Sequence, residues 1–411
     1  MILMSFMKQS ANLQPIEDTV FAVVAMAKKD IAENGPDQVV NATIGSLGDE
    51  NGNLVAYSSV FDHYNQIDNK VKASYASSFT GNPRFREQVK NWVIQDQPVD
   101  LASSVIATPG GTGAVNMTII NVLEPGQTLI LPEIAWGSYS LMAAQAGLKT
   151  VSYSLFEGNR FNLDSFKNTC REVMEKQHRV LAVINDPCHN PTGYSLTVAE
   201  WEEIIDFFNE LSTQGPCVIL NDIAYIDYSY QGSHTRDYLQ TFNRLNDEVL
   251  VVVAFSCSKS LTSYGMRCGA ALILGKQKEK VREVEIVFEK TARASWSNIP
   301  NAAMDNFTWV TTDNREQFMK EKQIYVDLLK QRSDLFLKQA EECGLECYPY
   351  KEGFFITLVM ENNKERDRVH QLLLDHHIYT VKVNLGIRLA ICSLSLAKTD
   401  GLAKKIVDLI H

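Results

Sequence analysis

Residues 249–275 read VLVVVAFSCSKSLTSYGMRCGAALILG, and this segment indicates the class of fold. The run VLVVVAF is apolar at every position, which is typical of a strand that is covered on both faces of a sheet. A polar segment containing Lys259 follows it, and a second apolar run, Ala270–Leu274, comes next. We therefore expect two buried strands, with Lys259 just beyond the end of the first.

Short apolar runs of the same kind recur upstream of this segment. They are Ser104–Thr108, Thr128–Leu131, Thr150–Tyr153, Val180–Asn185 and Val218–Leu220. Amphipathic helical patterns lie between them, and the clearest, Thr197–Leu211, begins with a capping box formed by Thr197 and Glu200. This alternation predicts an α/β fold with a mostly parallel, doubly wound sheet flanked by helices.

The pattern changes after about residue 276, which predicts a second domain. Charged helical stretches run from Lys276 to about Arg293 and from about Arg315 to Cys343, and shorter strand-like and helical segments follow. These features favour a smaller α+β domain, and we expect Phe21–Ile31 to join it. The predicted division is an N-terminal arm with part of the small domain (1–50), a large cofactor-binding domain (51–305) and a small C-terminal domain (306–411).

Composition narrows the classes of function. The chain has 411 residues, of which 45% are hydrophobic and 21% charged, with a net charge of −10. These values are typical of a globular protein, and an acidic chain without basic blocks binds nucleic acids and anionic membranes poorly. The eight cysteines form no CxxC pair, and the first ten residues carry no secretory signal pattern. We expect a cytoplasmic enzyme with reduced thiols and no metal site.

Polar residues follow several of the predicted strands. PGGTGAVNMTIINVL comes after Ser104–Thr108, and its glycines and helix start favour a phosphate. HNPTG follows Val180–Asn185, whereas Asp222 and Tyr225 come after Val218–Leu220. Ligands bind beyond the carboxyl ends of the strands in open α/β sheets, so we expect these groups and Lys259 to converge at one sheet edge.

Each of these features alone has an ordinary structural explanation, such as a glycine turn, an Asn-Pro turn or a solvated lysine. Together they match the needs of pyridoxal 5'-phosphate. The aldehyde of this cofactor bonds a lysine, its phosphate needs backbone N–H groups and an arginine, and its ring nitrogen needs a buried carboxylate. A lysine that burial has partly desolvated has a lowered pKa, which suits this chemistry.

The sequence resembles the class I (fold type I) pyridoxal-phosphate-dependent aminotransferases, in the branch of the aspartate and aromatic aminotransferases. The resemblance covers nearly the whole chain. The segments that carry it are VNATIGSLGDENG (40–52), SYASSFTG (74–81), GGTGA (110–114), AWGSY (135–139), HNPTG (189–193), NDIAY (221–225), FSCSKSLTSYGMRCG (255–269), RASWSNIP (293–300) and GIRLAICSL (386–394).

The resemblance implies a role for each residue of a cofactor site. Lys259 would bond the cofactor aldehyde and move the proton, Asp222 would pair with the ring nitrogen, and Trp136 would stack on the ring. Asn190 and Tyr225 would hydrogen-bond the ring hydroxyl oxygen. The phosphate would be held by Gly111, Thr112, Ser256, Ser258 and Arg267, and by Tyr75 from the second subunit of a homodimer.

The resemblance also implies how an amino acid and a 2-oxoacid would be held. Arg388 would bind the substrate α-carboxylate, with help from Gly45 and Asn190. Arg293 stands four residues before Ser297, the position from which an arginine reaches the distal carboxylate in the partner subunit's site. An alternative interpretation of Arg293 is a cation at a helix end.

These implications predict a ping-pong aminotransferase that moves an amino group between L-aspartate and 2-oxoglutarate. An aromatic amino acid is the alternative substrate, since aromatic enzymes of this branch can keep the same arginine. A β-lyase or decarboxylase is possible on the same site, but it would not need Arg293. A regulator that senses the cofactor would need a further basic domain of about 60–100 residues, for which we find no room.

Overall fold

The computed structural model describes residues 6–8, 12–15 and 19–410. Parts of the predicted N-terminal arm, and of the segment inspected for a secretory signal, therefore lie outside the described residues.

The strands are β1 (Val40–Asn41), β2 (Ala102–Thr108), β3 (Thr128–Pro132), β4 (Lys149–Tyr153), β5 (Phe156–Glu157), β6 (Arg160–Phe161), β7 (Val180–Asn185), β8 (Cys217–Asp222), β9 (Val249–Ser256), β10 (Gly269–Gly275), β11 (Phe355–Val359), β12 (Ile378–Tyr379), β13 (Val381–Val383) and β14 (Gly386–Ala390).

The helices alternate with these strands in the first two thirds of the chain and dominate the last third. They are α1 (Thr19–Asn34), α2 (Ser58–Gln66), α3 (Asn69–Ala73), α4 (Pro83–Ile94), α5 (Gly110–Val122), α6 (Ser138–Gln145), α7 (Leu163–Gln177), α8 (Val198–Leu211), α9 (Cys257–Ser260), α10 (Lys278–Ser295), α11 (Asn301–Thr311), α12 (Arg315–Cys343), α13 (Asn363–Asp375), α14 (Leu396–Thr399) and α15 (Leu402–Ile410).

A seven-stranded sheet forms the centre of the molecule, in the order β2-β10-β9-β8-β7-β3-β4. The pairs from β9 to β4 are parallel, whereas β10 is antiparallel to both of its neighbours. All seven strands predicted from apolar runs are present in this sheet. The predicted class, a mostly parallel α/β sheet flanked by helices, is confirmed.

Strand β9 is apolar at every position up to Phe255 because both faces of the sheet are covered at this strand. Val251, Val253 and Phe255 belong to the hydrophobic core on one face of the sheet, whereas Val252 and Ala254 belong to the core on the other. Successive side chains of a strand point to opposite faces, so a strand between two helical layers needs an apolar residue at every position.

A smaller antiparallel sheet, in the order β11-β14-β13, lies in the last third of the chain. The N-terminal segment returns to this part of the chain, because β1 pairs with β12, and Val23 and Ala27 of α1 pack in one cluster with Tyr379. The division into residues 1–50, 51–305 and 306–411 stays a prediction. Within the described residues, no helix has the length and apolar character needed to cross a membrane.

The sheet register brings the ends of three strands together. Asn185 and Asp222, the last residues of β7 and β8, are paired, and Asp222 is paired with Ala254 of β9. Lys259 follows β9 within the short helix α9. The carboxyl ends of these parallel strands therefore present an amide, a carboxylate and an amine at the same sheet edge.

Candidate active site

A cleft with a volume of about 100 Å³, partly open to solvent, lies at this sheet edge. It contains most of the residues that the sequence predicted for a cofactor site. Its lining consists of Gly111, Thr112, Trp136, Tyr139, Asn185, Asn190, Asp222, Ala224, Tyr225, Ser256, Ser258, Lys259 and Arg267. The expected convergence of the strand-end residues therefore occurs within one chain.

One end of the cleft has the features of an anion site. Helix α5 begins at Gly110, and the first N–H groups of a helix lack partners within the helix. Arg267 lies against this start, since a Cβ added at Gly110 would be 2.7 Å from its Nη2. The same guanidinium donates from Nη1 to Ser258 Oγ at 3.1 Å. Backbone donors, a hydroxyl and a guanidinium thus surround a space that suits a phosphate.

Lys259 lines the cleft and is half-buried. Burial lowers the pKa of its amine, and Arg267 lowers it further, whereas Asp222 acts in the opposite direction. Its Nζ is 5.4 Å from the centre of the Tyr225 ring. A lowered pKa raises the fraction of free amine at neutral pH, which is the form that attacks a carbonyl carbon.

Asp222 is a buried carboxylate that lines the same cleft. Its Oδ2 accepts a hydrogen bond from the Tyr139 hydroxyl at 2.7 Å, and its Oδ1 accepts one from Ala224 N at 3.1 Å. No lysine, arginine or histidine of the described residues forms an ion pair with it. Burial raises the pKa of Asp222, and these hydrogen bonds counter that effect. Lys259 acts on Asp222 without a direct ion pair, so a cationic ligand atom in contact with the carboxylate would stabilise its ionised form.

Asn190 is held by a chain of hydrogen bonds that ends at Asp222. The backbone N–H of Asn190 donates to Asn185 Oδ1 at 2.7 Å, and Asn185 Nδ2 donates to the carbonyl oxygen of Asp222 at 2.7 Å. Tyr225 lies nearby, and burial raises the pKa of its hydroxyl. These contacts fix the Asn190 backbone, so its side chain has a defined position in the cleft.

Arg388 joins this network from the smaller sheet. It is buried, and it donates from Nη1 to Asn190 Oδ1 at 3.1 Å and from Nη2 to the carbonyl oxygen of Thr43 at 2.8 Å. Its Nε has no hydrogen-bond partner within the structure, and its guanidinium lies over the Phe355 ring at 4.3 Å. A buried guanidinium with an unused donor suits a carboxylate.

Gly45 lies beside the same ring. A Cβ added at Gly45 would be 2.6 Å from Phe355 Cζ, so a larger residue would displace the ring that packs on Arg388. The predicted substrate residues Gly45, Asn190 and Arg388 are therefore neighbours, linked through Phe355 and Thr43.

Tyr75 and Arg293 do not reach the cleft of their own chain. Tyr75 is 87% exposed. Arg293 is also exposed; it donates to Ser297 Oγ at 2.5 Å and lies over the Phe79 ring at 4.6 Å. Both residues were predicted to act on a second subunit, and that role stays a prediction.

Sequence reasoning missed three residues of the site: Tyr139, Asn185 and Phe355. Asn185 had a recognisable signal, because it is the last residue of a predicted strand that ends at the ligand-binding edge. Tyr139 is three residues after Trp136, within the turn that leads into α6, and this short separation is also a usable signal. Phe355 begins a strand of another sheet, and no local pattern places it beside Arg388.

The donor set fits pyridoxal 5'-phosphate. A Cβ on Gly110 would close the anion site, Lys259 lies in the same cleft, and Asp222 is a buried carboxylate that forms no ion pair with any described residue. An anion site, an amine and a carboxylate in one cleft are the groups that the phosphate, aldehyde and ring nitrogen of that cofactor need. Within the described part of the chain, no group of histidine, cysteine and acidic side chains could hold a metal ion.

Known proteins resemble this chain over most of its length. Aspartate aminotransferase of Salmonella typhi is 24% identical over 330 residues, which cover 75% of this chain and 81% of that protein. The mitochondrial aspartate aminotransferase of Schizosaccharomyces pombe is 25% identical over 292 residues and is covered to 63%. An aromatic-amino-acid aminotransferase of Pseudomonas aeruginosa is 27% identical over 201 residues, or 47% of each protein.

Solved structures give the same result. An aminotransferase of Anaerococcus prevotii is 31% identical, with a TM-score of 0.95 over 98% of this chain and 99% of that one. The cytoplasmic aspartate aminotransferase of Saccharomyces cerevisiae, 20% identical with a TM-score of 0.80 over 97% of both chains, shares the fold. Residues 38–406 match the family model for aminotransferase class I and II. The chain belongs to the class I and II aminotransferases and is an aminotransferase.

Proposed function

We propose that this aminotransferase uses pyridoxal 5'-phosphate to move an amino group between L-aspartate and 2-oxoglutarate, as a cytoplasmic homodimer with shared active sites. The observation that carries the proposal is one cleft with Lys259, Asp222 and the Arg267 anion site, next to the buried carboxylate-binding group Arg388. When bound, the cofactor would supply an electron sink for the bond that breaks at the substrate Cα.

Each group in the cleft would have a separate task toward the cofactor. Gly111, Thr112, Ser256, Ser258 and Arg267 would hold the phosphate, and Trp136 would pack on the ring face. Asp222 would stay ionised opposite the ring nitrogen, while Asn190 and Tyr225 would bond the ring hydroxyl oxygen. The amine of Lys259, whose pKa burial lowers, would accept and return the proton at the substrate Cα.

Arg388 would fix the orientation of every amino acid substrate. Its Nη1 and Nη2 are already held by Asn190 and by the Thr43 carbonyl, so the guanidinium has one defined plane. The unused Nε donor and the remaining N–H groups would bind the α-carboxylate. This arrangement would place the Cα near Lys259, because Arg388 and Lys259 both lie close to Tyr225.

Arg293 would provide the preference for a second carboxylate. It is exposed on its own subunit and is held by Ser297 Oγ and the Phe79 ring, so its guanidinium is oriented before any substrate arrives. In a homodimer with shared sites it would reach the partner's cleft together with Tyr75. Aspartate and glutamate, but not alanine or phenylalanine, would use this contact.

We predict that Arg293→Leu and Arg388→Leu have different substrate profiles. Removing one member of a buried charge pair costs about 3–5 kcal/mol, which is roughly a hundred- to several-thousand-fold in kcat/KM. In Arg293→Leu the loss should fall on aspartate and leave phenylalanine unchanged or improved. In Arg388→Leu both substrates should lose, since both carry the α-carboxylate. The measurement is kcat/KM for both amino acids in both variants.

An aromatic amino acid is the second candidate substrate. Arg293 lies over Phe79, so the surface that would meet the distal part of a substrate carries an aromatic ring as well as a charge. If the wild type prefers phenylalanine to aspartate, and Arg293→Leu weakens both equally, the aspartate proposal is wrong and Arg293 is structural. If amino acids lose a β-substituent or the carboxylate instead of the amino group, the site performs lyase or decarboxylase chemistry.

A further inference from the structure

Tyr139 contacts two groups of the cleft at once. Its side chain is 1% exposed, its hydroxyl donates to Asp222 Oδ2 at 2.7 Å, and its ring meets the Trp136 ring edge to face, with centroids 5.3 Å apart and an interplanar angle of 85°. Asp222 and Trp136 are the groups assigned to the nitrogen and to the face of the cofactor ring. One side chain therefore connects both.

The position of Tyr139 follows from the start of α6. Trp136 and Tyr139 are three residues apart, and the backbone N–H of Tyr139 donates to the carbonyl oxygen of Trp136 at 3.1 Å. Residues at this spacing on a helical turn lie side by side. A shift of this turn would therefore move the Trp136 ring and the donor to Asp222 together.

The charge state of Asp222 depends on few groups. The titratable side chains that act on it are Tyr139 from α6 and Lys259 from α9, and Tyr225 follows it on the same segment. Burial raises the pKa of Asp222, whereas the Tyr139 hydroxyl and the Ala224 N–H lower it by bonding the ionised form. The Tyr139 bond, at 2.7 Å, is the shorter of the two. A short hydrogen bond to a buried carboxylate is strong and directional.

We propose that Tyr139 is a positioning residue that keeps Asp222 ionised and oriented toward the cofactor ring nitrogen and holds the Trp136 ring at the cofactor face. This inference rests on the proposed function. Tyr139 acts through these two residues, because its hydroxyl bonds Asp222 and its ring packs against that of Trp136.

The test uses the full-length chain freed of cofactor and two probes, pyridoxamine 5'-phosphate and inorganic phosphate. The first probe has the ring nitrogen and forms no bond with Lys259, and the second reaches the anion site alone. Tyr139→Phe should bind pyridoxamine 5'-phosphate about tenfold more weakly, equal to about 1.4 kcal/mol, with unchanged affinity for phosphate. Losing the donor raises the pKa of Asp222. The pH below which the affinity for pyridoxamine 5'-phosphate falls should therefore rise by about one unit.

Tyr238→Phe is the matched control. Tyr238 is also buried, and its hydroxyl donates at 2.9 Å to Asn221 Oδ1, the residue next to Asp222 on β8. Like Tyr139→Phe, this variant removes a buried tyrosine hydroxyl that donates one hydrogen bond to a side chain of β8, but Tyr238 does not line the cleft. It should therefore reproduce any general loss of stability and leave both the affinity and the pH profile for pyridoxamine 5'-phosphate unchanged.

Tyr139→Leu separates the two contacts. It removes the ring as well as the hydroxyl, so pyridoxamine 5'-phosphate should bind at least threefold more weakly than in Tyr139→Phe. Equal affinities in these two variants would overturn the role toward Trp136, and a Tyr139→Phe protein that matches Tyr238→Phe would overturn the role toward Asp222. If the wild type binds pyridoxamine 5'-phosphate no better than phosphate, the proposed function itself is wrong, and the role of Tyr139 is overturned with it.

Discussion

At the scale of single residues, the chemistry depends on side chains whose charged forms are disfavoured by burial. Lys259 and Asp222 share one cleft, and burial lowers the pKa of the amine while raising that of the carboxyl group. Both shifts favour the neutral forms in the empty protein. A protonated ring nitrogen of a bound cofactor would stabilise the ionised form of Asp222, whereas the lowered pKa of Lys259 keeps its amine free to attack.

Lys259→Ala should retain the cofactor through the anion site but lose catalysis by several orders of magnitude, because the nucleophile and the proton carrier are the same amine. Purified wild type should be yellow, and borohydride should bleach the visible band and fix the cofactor to Lys259, as a peptide map would show. Lys276→Ala, at an exposed position, is the control. A colourless holoprotein, or a Lys259→Ala variant with near-normal rate, would contradict the assignment.

At the scale of elements, the start of α5 determines the anion site. Gly110 has a φ of +70°, a value that non-glycine residues adopt at a cost of about 1–2 kcal/mol. The space for a Cβ at Gly110 is also occupied, by the Arg267 guanidinium at 2.7 Å. Two independent constraints therefore require glycine at this position.

Gly110→Ala should weaken the binding of inorganic phosphate and of the cofactor, because the new methyl group displaces Arg267. Gly126→Ala is the control for backbone strain: Gly126 has a φ of +92°, and a Cβ there would meet no atom within 4 Å. Both variants should lose stability in thermal unfolding, but the phosphate titration should change by tenfold or more in Gly110→Ala alone. Equal phosphate affinities in the two variants would show that the start of α5 does not bind the anion.

The elements also show what a single sequence can predict. Strand β9 was predictable because every residue from Val249 to Phe255 is apolar, and the capping box of Thr197 and Glu200 forms as expected. The antiparallel insertion of β10 between β2 and β9 was not, since pairing order depends on contacts between distant segments. The link from Tyr139 to Asp222 was missed for the same reason, because its partners are 83 residues apart.

At the scale of the whole molecule, the proposed homodimer has a consequence that mixing can test. If Arg293 and Tyr75 serve the partner's cleft, each active site combines Lys259 from one subunit with Arg293 from the other. Two defective variants can then complement each other, because a hybrid dimer of Lys259→Ala and Arg293→Leu subunits contains one site with both residues intact.

Co-refolding equal amounts of Lys259→Ala and Arg293→Leu subunits should restore about a quarter of the wild-type aspartate activity, since half of the dimers are hybrids with one intact site of two. The activity of either variant alone is the baseline. A mixture of Lys259→Ala with Asp222→Ala subunits is the control. Each subunit supplies both Lys259 and Asp222 to its own cleft, so every site in this mixture carries one of the two changes. A mixture no more active than its components would show that Arg293 serves its own subunit or that the dimer does not share sites.

The antiparallel strand β10 also has a consequence for how the protein matures. Thr108 of β2 pairs with Gly269 of β10, so the start of α5 and Arg267, the two halves of the anion site, come from points about 160 residues apart in the chain. A growing polypeptide exposes the glycine turn long before its arginine is synthesised. The proposed cofactor site is therefore complete only after Arg267 has been synthesised, and retention of the cofactor would report that β10 has paired with β2.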